Sequence, residues 1–330
     1  MNKIRENLIL DLQQARNSVV LIYFTGDRRG LETKIGTDAF DLFTKQLDLI
    51  GDAPKITLFL YTRGGDVLAA WSVINLIHQF CKELEIIVPS KCHSSGTLMC
   101  LAAKNIIMTK QATLGPIDPS IHNQLNPAIP GAPPTAKAPV SVEDINAFID
   151  FAKSVSGDKN LINQAFQRLS SEINPLVLGN AFRARGQIRM LAKKLMSNNQ
   201  KKKKVVENIL RFLCSESGSH DYTINRKEAK DGLKLPIEKP DDALYSKIIA
   251  LYNDISDQLE LLVPFDPQLI LGQNTQAPYS FSRAIIESVP GRTDIFMTDG
   301  SLIAQQLQTP QGIQKVISDN RTFEGWRHYV

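Results

Sequence analysis

Residues 56–96 read ITLFLYTRGGDVLAAWSVINLIHQFCKELEIIVPSKCHSSG, in which two short apolar runs each end in a polar turn. Between these runs, apolar residues recur at helical spacing. Short continuous apolar runs are typical of strands buried on both faces of a parallel sheet. The stretch therefore predicts a strand-helix-strand unit, with RGGD (63–66) and SSG (94–96) at the carboxyl ends of neighbouring strands.

The same alternation extends on both sides of this stretch. Residues 17–27 (NSVVLIYFTGD) form an earlier apolar run, and a helix follows for which Thr37 is the expected cap and Gly51 the expected end. A small-residue helix follows SSG, and residues 105–115 (NIIMTKQATLG) form a further strand and turn. Repeated units of this kind predict an α/β fold with a parallel sheet.

The second half of the chain is richer in helices. Residues 122–140 carry five of the 17 prolines without a periodic apolar pattern, and we expect a surface loop or flexible lid there. Helices resume at residue 142, and late strands with a Gly turn follow residue 280. We divide the chain into a core in residues 1–155 and, in 156–330, a helical region and late strands that complete the same domain.

Composition narrows the class of protein. The 330 residues are 43% hydrophobic, which is ordinary for a globular chain that buries a sizeable core. The net charge is only +4, and much of the excess lies in the KKKK run at 201–204, which we expect to be solvated, so nucleic-acid binding has little support. The start does not read as a signal peptide, and no apolar segment approaches the length of a membrane span. We therefore expect a cytoplasmic protein without a membrane span.

The cysteines and glycine motifs give no sign of a metal or a cofactor. Cys81, Cys92, Cys100 and Cys214 form no CxxC pair, which fits buried, unreactive thiols in a reducing compartment better than disulfides or zinc ligands. Neither GDRRG nor TRGGD has the glycine pattern of a dinucleotide-binding loop. We expect neither a cofactor nor a bound metal ion.

Ser94 has two interpretations, as a helix cap or as a nucleophile. Either RGGD or SSG alone is more simply a turn or a capped helix start. If neighbouring strand ends bring the two loops together, the backbone N–H groups of Gly65 and Ser95 can point at one spot. Two donors of this kind stabilise the oxyanion of an acyl-transfer intermediate by a few kcal/mol. The pair of motifs is therefore more informative than either motif.

Six segments along the chain carry a family resemblance. They are VVLIYFTGDRRG, LFLYTRGGDVLAA, SSGTLMCLAA, IIMTKQATLGPIDP, LVLGNAFRARGQIRMLAKKL and SHDYTINRKEAKDGL. In this order they resemble the serine dehydrogenase proteinase family, a branch of the Clp-protease/crotonase superfamily that is related to signal peptide peptidase A. The resemblance extends from about residue 17 to beyond residue 290, which is nearly the whole chain.

The resemblance implies a Clp-protease/crotonase-like spiral of ββα units with additional C-terminal helices. It also implies a serine peptidase in which Ser94 is the nucleophile, while Gly65 and Ser95 supply the N–H groups of the oxyanion hole. The chain departs from the family in two motifs. Its members usually have Ser-Pro before Gly-Gly, where this chain has Thr62 and Arg63, and they commonly have S-A-G where this chain has SSG.

A serine hydroxyl needs a base that accepts its proton, and the sequence offers several. Related signal peptide peptidases use a lysine, and Lys137 fits best by its order in the chain, with Lys153 second. The Clp protease proteolytic subunit uses a histidine that follows its serine at a distance similar to that of His122. His220 is a further alternative, although it is more simply a turn residue.

Two other polar residues flank the predicted site. His93 precedes the nucleophile, and because successive side chains of an extended chain point in opposite directions, we expect it to pack beside the site. Asp118 follows Pro116 and either faces the site or stabilises its own turn.

Three functions fit this sequence, of which two are enzymes and the third is not. The first is a cytoplasmic serine peptidase that acts on a peptide or protein substrate through an acyl-enzyme on Ser94. The second is a coenzyme A thioester enzyme of crotonase type, which uses the paired N–H groups for an enolate. The third is a catalytically inactive scaffold or assembly protein. The superfamily also implies a homo-oligomer, for which the helices between residues 160 and 213 are candidate contacts.

Overall fold

The computed structural model describes residues 2–118, 120–121, 123–133, 135–155, 158–197, 203–216, 219–309 and 312–329. The chain groups into two compact units. Residues 1–114 and 225–330 form the first, called the sheet unit, and residues 115–224 form the second, called the helical unit. The boundary placed at residue 155 from the sequence falls inside the helical unit and stays a prediction.

The sheet unit begins with alternating helices and strands. Its first elements are α1 (Lys3–Arg16), β1 (Val19–Thr25), α2 (Phe40–Ile50), β2 (Ala53–Tyr61), α3 (Val67–Phe80), β3 (Cys81–Val88), β4 (Lys91–Cys92), α4 (Ser95–Cys100), β5 (Asn105–Met108) and β6 (Thr113–Leu114). This alternation is the one that the apolar runs predict.

The helical unit follows, and then the chain returns to the sheet unit. The elements of the helical unit are β7 (Ser120–Ile121), β8 (Val140–Ser141), α5 (Val142–Val155), α6 (Lys159–Glu172), α7 (Pro175–Ser197) and α8 (Lys203–Arg211). After them come β9 (Ile224–Asn225), β10 (Ile237–Glu238), α9 (Asp242–Gln258), α10 (Pro267–Leu271), β11 (Gln276–Ser288), β12 (Thr293–Thr309) and β13 (Gly312–Tyr329).

One mixed sheet organises the sheet unit. Its strand order is β10-β5-β3-β2-β1-β11-β12-β13. The strands from β10 to β1 run parallel, whereas β11, β12 and β13 add an antiparallel meander to the side of β1. The predicted α/β fold with a parallel sheet is therefore confirmed, and all the carboxyl ends of β1, β2, β3 and β5 meet at one edge.

Side chains of the central strands alternate between the two faces of this sheet. Tyr23 of β1 meets Phe43 of α2 edge to face, with 5.0 Å between ring centroids. The next residue, Phe24, points the other way and packs with Tyr61 and with Tyr252 of α9. Because helices cover both faces, β1 and β2 bury nearly every residue, which explains why they read as continuous apolar runs.

The two expected ends of α2 have different outcomes. Gly51 ends the helix with φ 68°, and its N–H donates to Leu47 O at 2.8 Å, so this prediction is confirmed. Thr37 as the cap is wrong, since it is the first residue of a 3₁₀ turn over Thr37–Ala39 that leads into the helix. Its backbone carbonyl accepts a bond from Phe40, so the chain turns at Thr37 before α2 begins.

The Pro-rich segment has internal hydrogen bonds where the structure describes it. The Asn126 side chain donates to Ala138 O at 2.9 Å, and the Ala138 N–H donates to Pro127 O at 2.9 Å. Its proposed role as a lid stays a prediction. Within the described ranges of the chain, no helix combines the length and the hydrophobicity needed to cross a lipid bilayer.

A buried ion cluster ties the parallel strands together on the side away from their carboxyl ends. The Glu85 side chain of β3 is 1% exposed, and Lys55 lies 3.1 Å from its carboxylate. Arg16, Thr57 and Asn105 donate hydrogen bonds to the same carboxylate. Burial acts to raise the pKa of Glu85, but the bonds from Arg16 and Asn105 outweigh it, and the pKa lies below its ordinary value.

Replacing this carboxylate should destabilise the sheet unit. We expect Glu85→Gln to lower the free energy of unfolding near neutral pH by about 2–3 kcal/mol, because Arg16 and Lys55 lose the charge that compensates their burial. Since the folded-state pKa of Glu85 is lowered, its contribution is complete above the ordinary pKa and is lost as the pH falls through the folded-state value. Urea unfolding as a function of pH measures both effects.

Glu83→Gln on the same strand is the matched control. Glu83 pairs with the exposed Lys104, and exposed pairs contribute less than about 1 kcal/mol. Equal losses of stability in the two variants, or a loss for Glu85→Gln that persists at acidic pH, would contradict the role of the buried cluster.

Candidate active site

Backbone hydrogen bonds hold the RGGD turn on two sides. On one side, the Thr62 N–H donates to Lys91 O and the His93 N–H donates to Thr62 O, both at 3.0 Å. On the other side, the Ile35 N–H donates to Gly64 O at 2.9 Å. The loops that follow β2 and β3 therefore meet, as their parallel strands predict.

Only glycine fits at the two central positions of this turn. Gly64 has φ 108° and Gly65 has φ 152°, in the region that favours glycine. A Cβ on Gly64 would lie 2.7 Å from Ser94 Cβ and 3.2 Å from Ser94 Oγ. A Cβ on Gly65 would lie 2.3 Å from Ile35 O. Gly64 is thus the glycine that lies against the Ser94 side chain. The sequence alone does not show which of the two adjacent glycines has this contact.

Ser94 stands at the N-cap position of α4 but does not cap it. Its side chain forms no hydrogen bond to the first turn of the helix. Its backbone has φ 52° and ψ −120°, a sparsely populated conformation that costs about 1–3 kcal/mol. Because backbone strain of this kind clusters at functional sites, the geometry favours the nucleophile over the cap.

Gly96 and Ser95 pack the start of α4 against the RGGD turn. A Cβ on Gly96 would lie 2.4 Å from Thr62 Cγ2 and 2.9 Å from Cys92 Sγ, so the helix can approach only where residue 96 has no side chain. Ser95 is buried, and its Oγ has no hydrogen-bond partner within the described ranges. The Ser95 hydroxyl is therefore not needed to hold the loop.

The predicted oxyanion donors are the N–H groups of Gly65 and Ser95. In the part of the chain that the structure describes, neither group donates a hydrogen bond. Two neighbouring N–H groups are occupied: that of Gly64 donates to Thr62 Oγ1 at 2.9 Å, and that of Gly96 donates to His93 O at 2.9 Å. Both predicted donors thus remain available to an anionic oxygen.

His93 and Asp66 each have a hydrogen-bond partner beside these loops. His93 Nε2 lies 2.9 Å from Thr113 Oγ1, which agrees with the expected packing role beside the nucleophile. The Asp66 carboxylate accepts a hydrogen bond from the Ala69 N–H at 2.7 Å and caps α3.

Lys91 is the lysine that lies nearest to Ser94 in the sequence, but its side chain pairs with Asp27. Its Nζ lies 2.6 Å from Asp27 Oδ2, and the hydroxyl of Tyr61 donates to Asp27 Oδ1 at 2.6 Å. Burial, and then the charge of Asp27, raise the pKa of Tyr61, so this phenol stays protonated. Lys91 therefore serves the ion pair with Asp27.

Of the predicted bases, His220 is the one that pairs with a buried carboxylate. Its Nδ1 lies 2.9 Å from Asp118 Oδ1, and the Asp118 side chain is only 5% exposed. A hydrogen bond between a buried carboxylate and Nδ1 fixes the orientation of an imidazole ring. Asp118 thus does more than stabilise its own turn, which its sequence alone does not reveal.

The other predicted bases differ from His220. Lys153 pairs with Asp150 at 2.8 Å on the exposed face of α5, as a solvated lysine does. Lys137 lies in the Pro-rich segment, where its backbone forms an isolated bridge with Ala128. His122 lies outside the described residues.

The burial of the thiol groups agrees with the expectation that the cysteines are unreactive. Cys92 and Cys100 are buried with their Sγ atoms 3.6 Å apart, and all four cysteines are free. Burial raises the pKa of Cys92 well above its ordinary value and that of Cys214 to about 12. Neither thiol is therefore a competing nucleophile.

Gly96→Ala should test how closely the two loops pack. The new methyl group would meet Thr62 Cγ2, and we expect a loss of about 1–3 kcal/mol in the free energy of unfolding together with lower activity. Thr62→Ser removes that methyl but keeps the hydroxyl, so the double variant should regain part of the stability. Chemical unfolding of all four combinations gives the coupling energy.

Gly186→Ala, in α7, is the matched control. A Cβ there meets nothing within 4 Å, and alanine in a helix interior is favoured over glycine by about 0.5–1 kcal/mol. A destabilised control, or no coupling between positions 62 and 96, would show that the close approach of the two loops is not the cause.

The chain resembles solved structures of peptidases at low identity. A variant of a membrane-bound stomatin-specific protease, in complex with a substrate peptide, is 14% identical with a TM-score of 0.40, and the match covers 68% of this chain and 77% of that one. ClpP1 from Listeria monocytogenes is 15% identical with a TM-score of 0.38, and the match covers 70% of this chain and 98% of that one.

Sequence comparison gives two relatives and one family. An uncharacterized protein of Methanocaldococcus jannaschii is 27% identical over 247 residues, which are 72% of this chain and 75% of the relative. A second uncharacterized protein of that organism is 38% identical over 66 residues, which are 20% of this chain and 23% of the relative. Residues 43–169 match the model of the ClpP-like SDH-type serine proteinases. These residues hold both loops of the candidate site, and over them the resemblance stated from the sequence is confirmed.

Proposed function

We propose that this protein cleaves peptide bonds through an acyl-enzyme formed on Ser94. One observation carries the proposal: the Ser94 hydroxyl stands at a helix start without capping it, on a strained backbone, against a glycine that leaves room for it. A serine that only capped α4 would bond its first turn. The match to a serine proteinase family supplies the reaction class.

The reaction begins with attack by Ser94 Oγ on the carbonyl carbon of the scissile bond. As the new C–O bond forms, the hydroxyl proton passes to a base, and the negative charge on the carbonyl oxygen is stabilised by the Gly65 and Ser95 N–H groups. The C–N bond then breaks, and the leaving amine takes up the proton. Water, deprotonated by the same base, hydrolyses the ester and frees Ser94.

The identity of the base is the finer part of the proposal. By resemblance it is Lys137, which would make a Ser-Lys dyad. The hydrogen bond between His220 and Asp118 supports a second candidate, because this pairing orients an imidazole as catalytic triads do. Lys153 is the weakest of the three, since its ammonium is paired with Asp150 in solvent.

The surroundings proposed for this activity follow from the same resemblance. The substrate is a peptide or protein, and the protein acts in the cytoplasm as a homo-oligomer. Large apolar side chains of α7 support self-association, because Leu176 is 68% exposed and Phe182 is 82% exposed. A coenzyme A thioester enzyme is the alternative that would use the same two N–H groups without Ser94.

Labelling by a fluorophosphonate should depend on Ser94 and not on its neighbour. We expect Ser94→Ala to abolish labelling and peptide hydrolysis, because the nucleophilic oxygen is lost. Ser95→Ala keeps the backbone N–H and removes a buried hydroxyl that has no partner, so it should retain labelling within about threefold. Intact-protein mass spectrometry measures the adduct.

The outcome also separates the alternatives. Labelling that survives Ser94→Ala would contradict the nucleophile. A folded wild-type protein that is never labelled would favour the inactive scaffold, and thioester turnover that survives Ser94→Ala would favour the crotonase-type enzyme.

Two substitutions distinguish the proposed bases. If Lys137 accepts the proton, Lys137→Met should slow acylation by about 10²–10⁴-fold, whereas His220→Gln should change it little. If the base is His220, the effects are reversed, and Asp118→Asn should also slow acylation because the imidazole loses its orienting carboxylate. Pseudo-first-order labelling rates across pH measure each variant.

Lys153→Met is the control for losing a lysine charge, since Lys153 is exposed and paired. If Lys137→Met and His220→Gln both leave the rate unchanged, neither residue is the base.

A further inference from the structure

A cationic cavity lies at the carboxyl ends of β5 and β10 in the sheet unit. Its volume is about 420 Å³, and Ile237 of β10 contributes to its lining. The charged side chains around it are Lys110, Arg226, Lys227, Lys230, Lys239 and Asp231. Carboxyl ends of parallel strands are common ligand sites in α/β folds. Neither Ser94 nor any other proposed catalytic residue lines this cavity.

The positive charge of this cavity is not neutralised by the protein. Five cations surround it with a single carboxylate, and none of the five forms an ion pair within the described ranges of the chain. Other cations of the sheet unit are paired, such as Arg16 with Glu85 and Lys104 with Glu83. A concave surface lined by one sign of charge concentrates counter-ions of the opposite sign.

The loop that carries most of these cations is held in place. The Arg226 guanidinium donates to Met108 O, at the end of β5, at 3.2 Å. Asn225 accepts a hydrogen bond from the Glu228 N–H at 3.0 Å and fixes the start of a helical turn over Glu228–Gly232. The Leu235 N–H donates to Ala229 O at 3.0 Å after that turn. The cations are thus presented by an ordered backbone.

The opposite wall is also fixed. Lys110 follows β5, and its Nζ lies 5.0 Å from the centre of the Tyr245 ring. The Tyr245 hydroxyl donates to Gln111 at 3.3 Å. The cations therefore come from three segments of the chain, with Lys110 after β5, the group from Arg226 to Lys230 after β9, and Lys239 after β10.

We propose that this cavity binds a small polyanion that carries at least two phosphate groups. Lysine ammonium groups and an arginine fork are the donors that phosphate oxygens bind, and several clustered cations require a ligand with several charges. A cavity of about 420 Å³ suits a compact polyphosphate better than an extended chain. The site is separate from Ser94, so its existence does not depend on the proposed peptidase activity.

Calorimetric titration of the full-length protein with sodium tripolyphosphate tests this proposal. We expect saturable binding at one site per chain, with an affinity that falls as salt is raised. Lys227→Ala combined with Lys230→Ala should weaken binding at least about tenfold, because two charged donors are lost. The matched control combines Lys82→Ala with Lys159→Ala, which removes equal charge from exposed positions outside the cavity and should leave affinity within about twofold.

Several outcomes would overturn the proposal. They are the absence of saturable binding, an equal loss of affinity in the control pair, or tighter cavity-dependent binding of a poly-glutamate peptide or a single-stranded RNA than of tripolyphosphate. Circular dichroism and thermal unfolding establish that each variant is folded. Should the double variant unfold, Lys239→Gln alone serves in its place and should weaken binding about threefold or more.

Discussion

The candidate site depends on one steric constraint, the contact between two loops at positions where no side chain fits. Gly64 lies against Ser94, Gly65 against Ile35, and Gly96 against Thr62. The parallel pairing of β2 with β3 brings the loops to the same edge of the sheet, but the last few ångströms of approach require the absence of Cβ atoms. This contact places the Ser94 side chain against Gly64 at the start of α4.

The parallel strands carry different kinds of polar group at their carboxyl ends and on the side away from those ends. On one side, Glu85 gathers Arg16, Thr57 and Asn105 into a buried, fully paired cluster that holds the strands in register. At the carboxyl ends of the strands, the N–H groups of Gly65 and Ser95 donate no hydrogen bond within the described ranges, and the backbone of Ser94 is strained. A strained turn persists only where the surrounding structure holds it in place. The ion cluster around Glu85 and the apolar side chains on both faces of the sheet supply that rigidity.

The sequence predicted those features whose causes are local. Continuous apolar runs indicated β1, β2 and β3, and helical spacing indicated α3, because both patterns reflect burial of neighbouring residues. The prediction of Thr37 as the helix cap was wrong because a 3₁₀ turn and an α-helix begin with similar residues. The hydrogen bond between His220 and Asp118 could not be predicted, since it joins residues far apart in the chain. Which of the two glycines lies against Ser94 could not be predicted either, because Gly64 contacts Ser94 and Gly65 contacts Ile35 only in the folded structure.

The departure from the family at Thr62 has a physical explanation. The family usually has a serine there, and the Thr62 hydroxyl performs what any hydroxyl at this position can do. It accepts a hydrogen bond from the Gly64 N–H at 2.9 Å and another from the Thr25 hydroxyl at 2.7 Å. The additional methyl group packs where a residue other than glycine at position 96 would stand. The threonine therefore keeps the hydrogen bond that shapes the turn. Its methyl group leaves less space for a side chain at position 96, so it makes glycine there more strictly required.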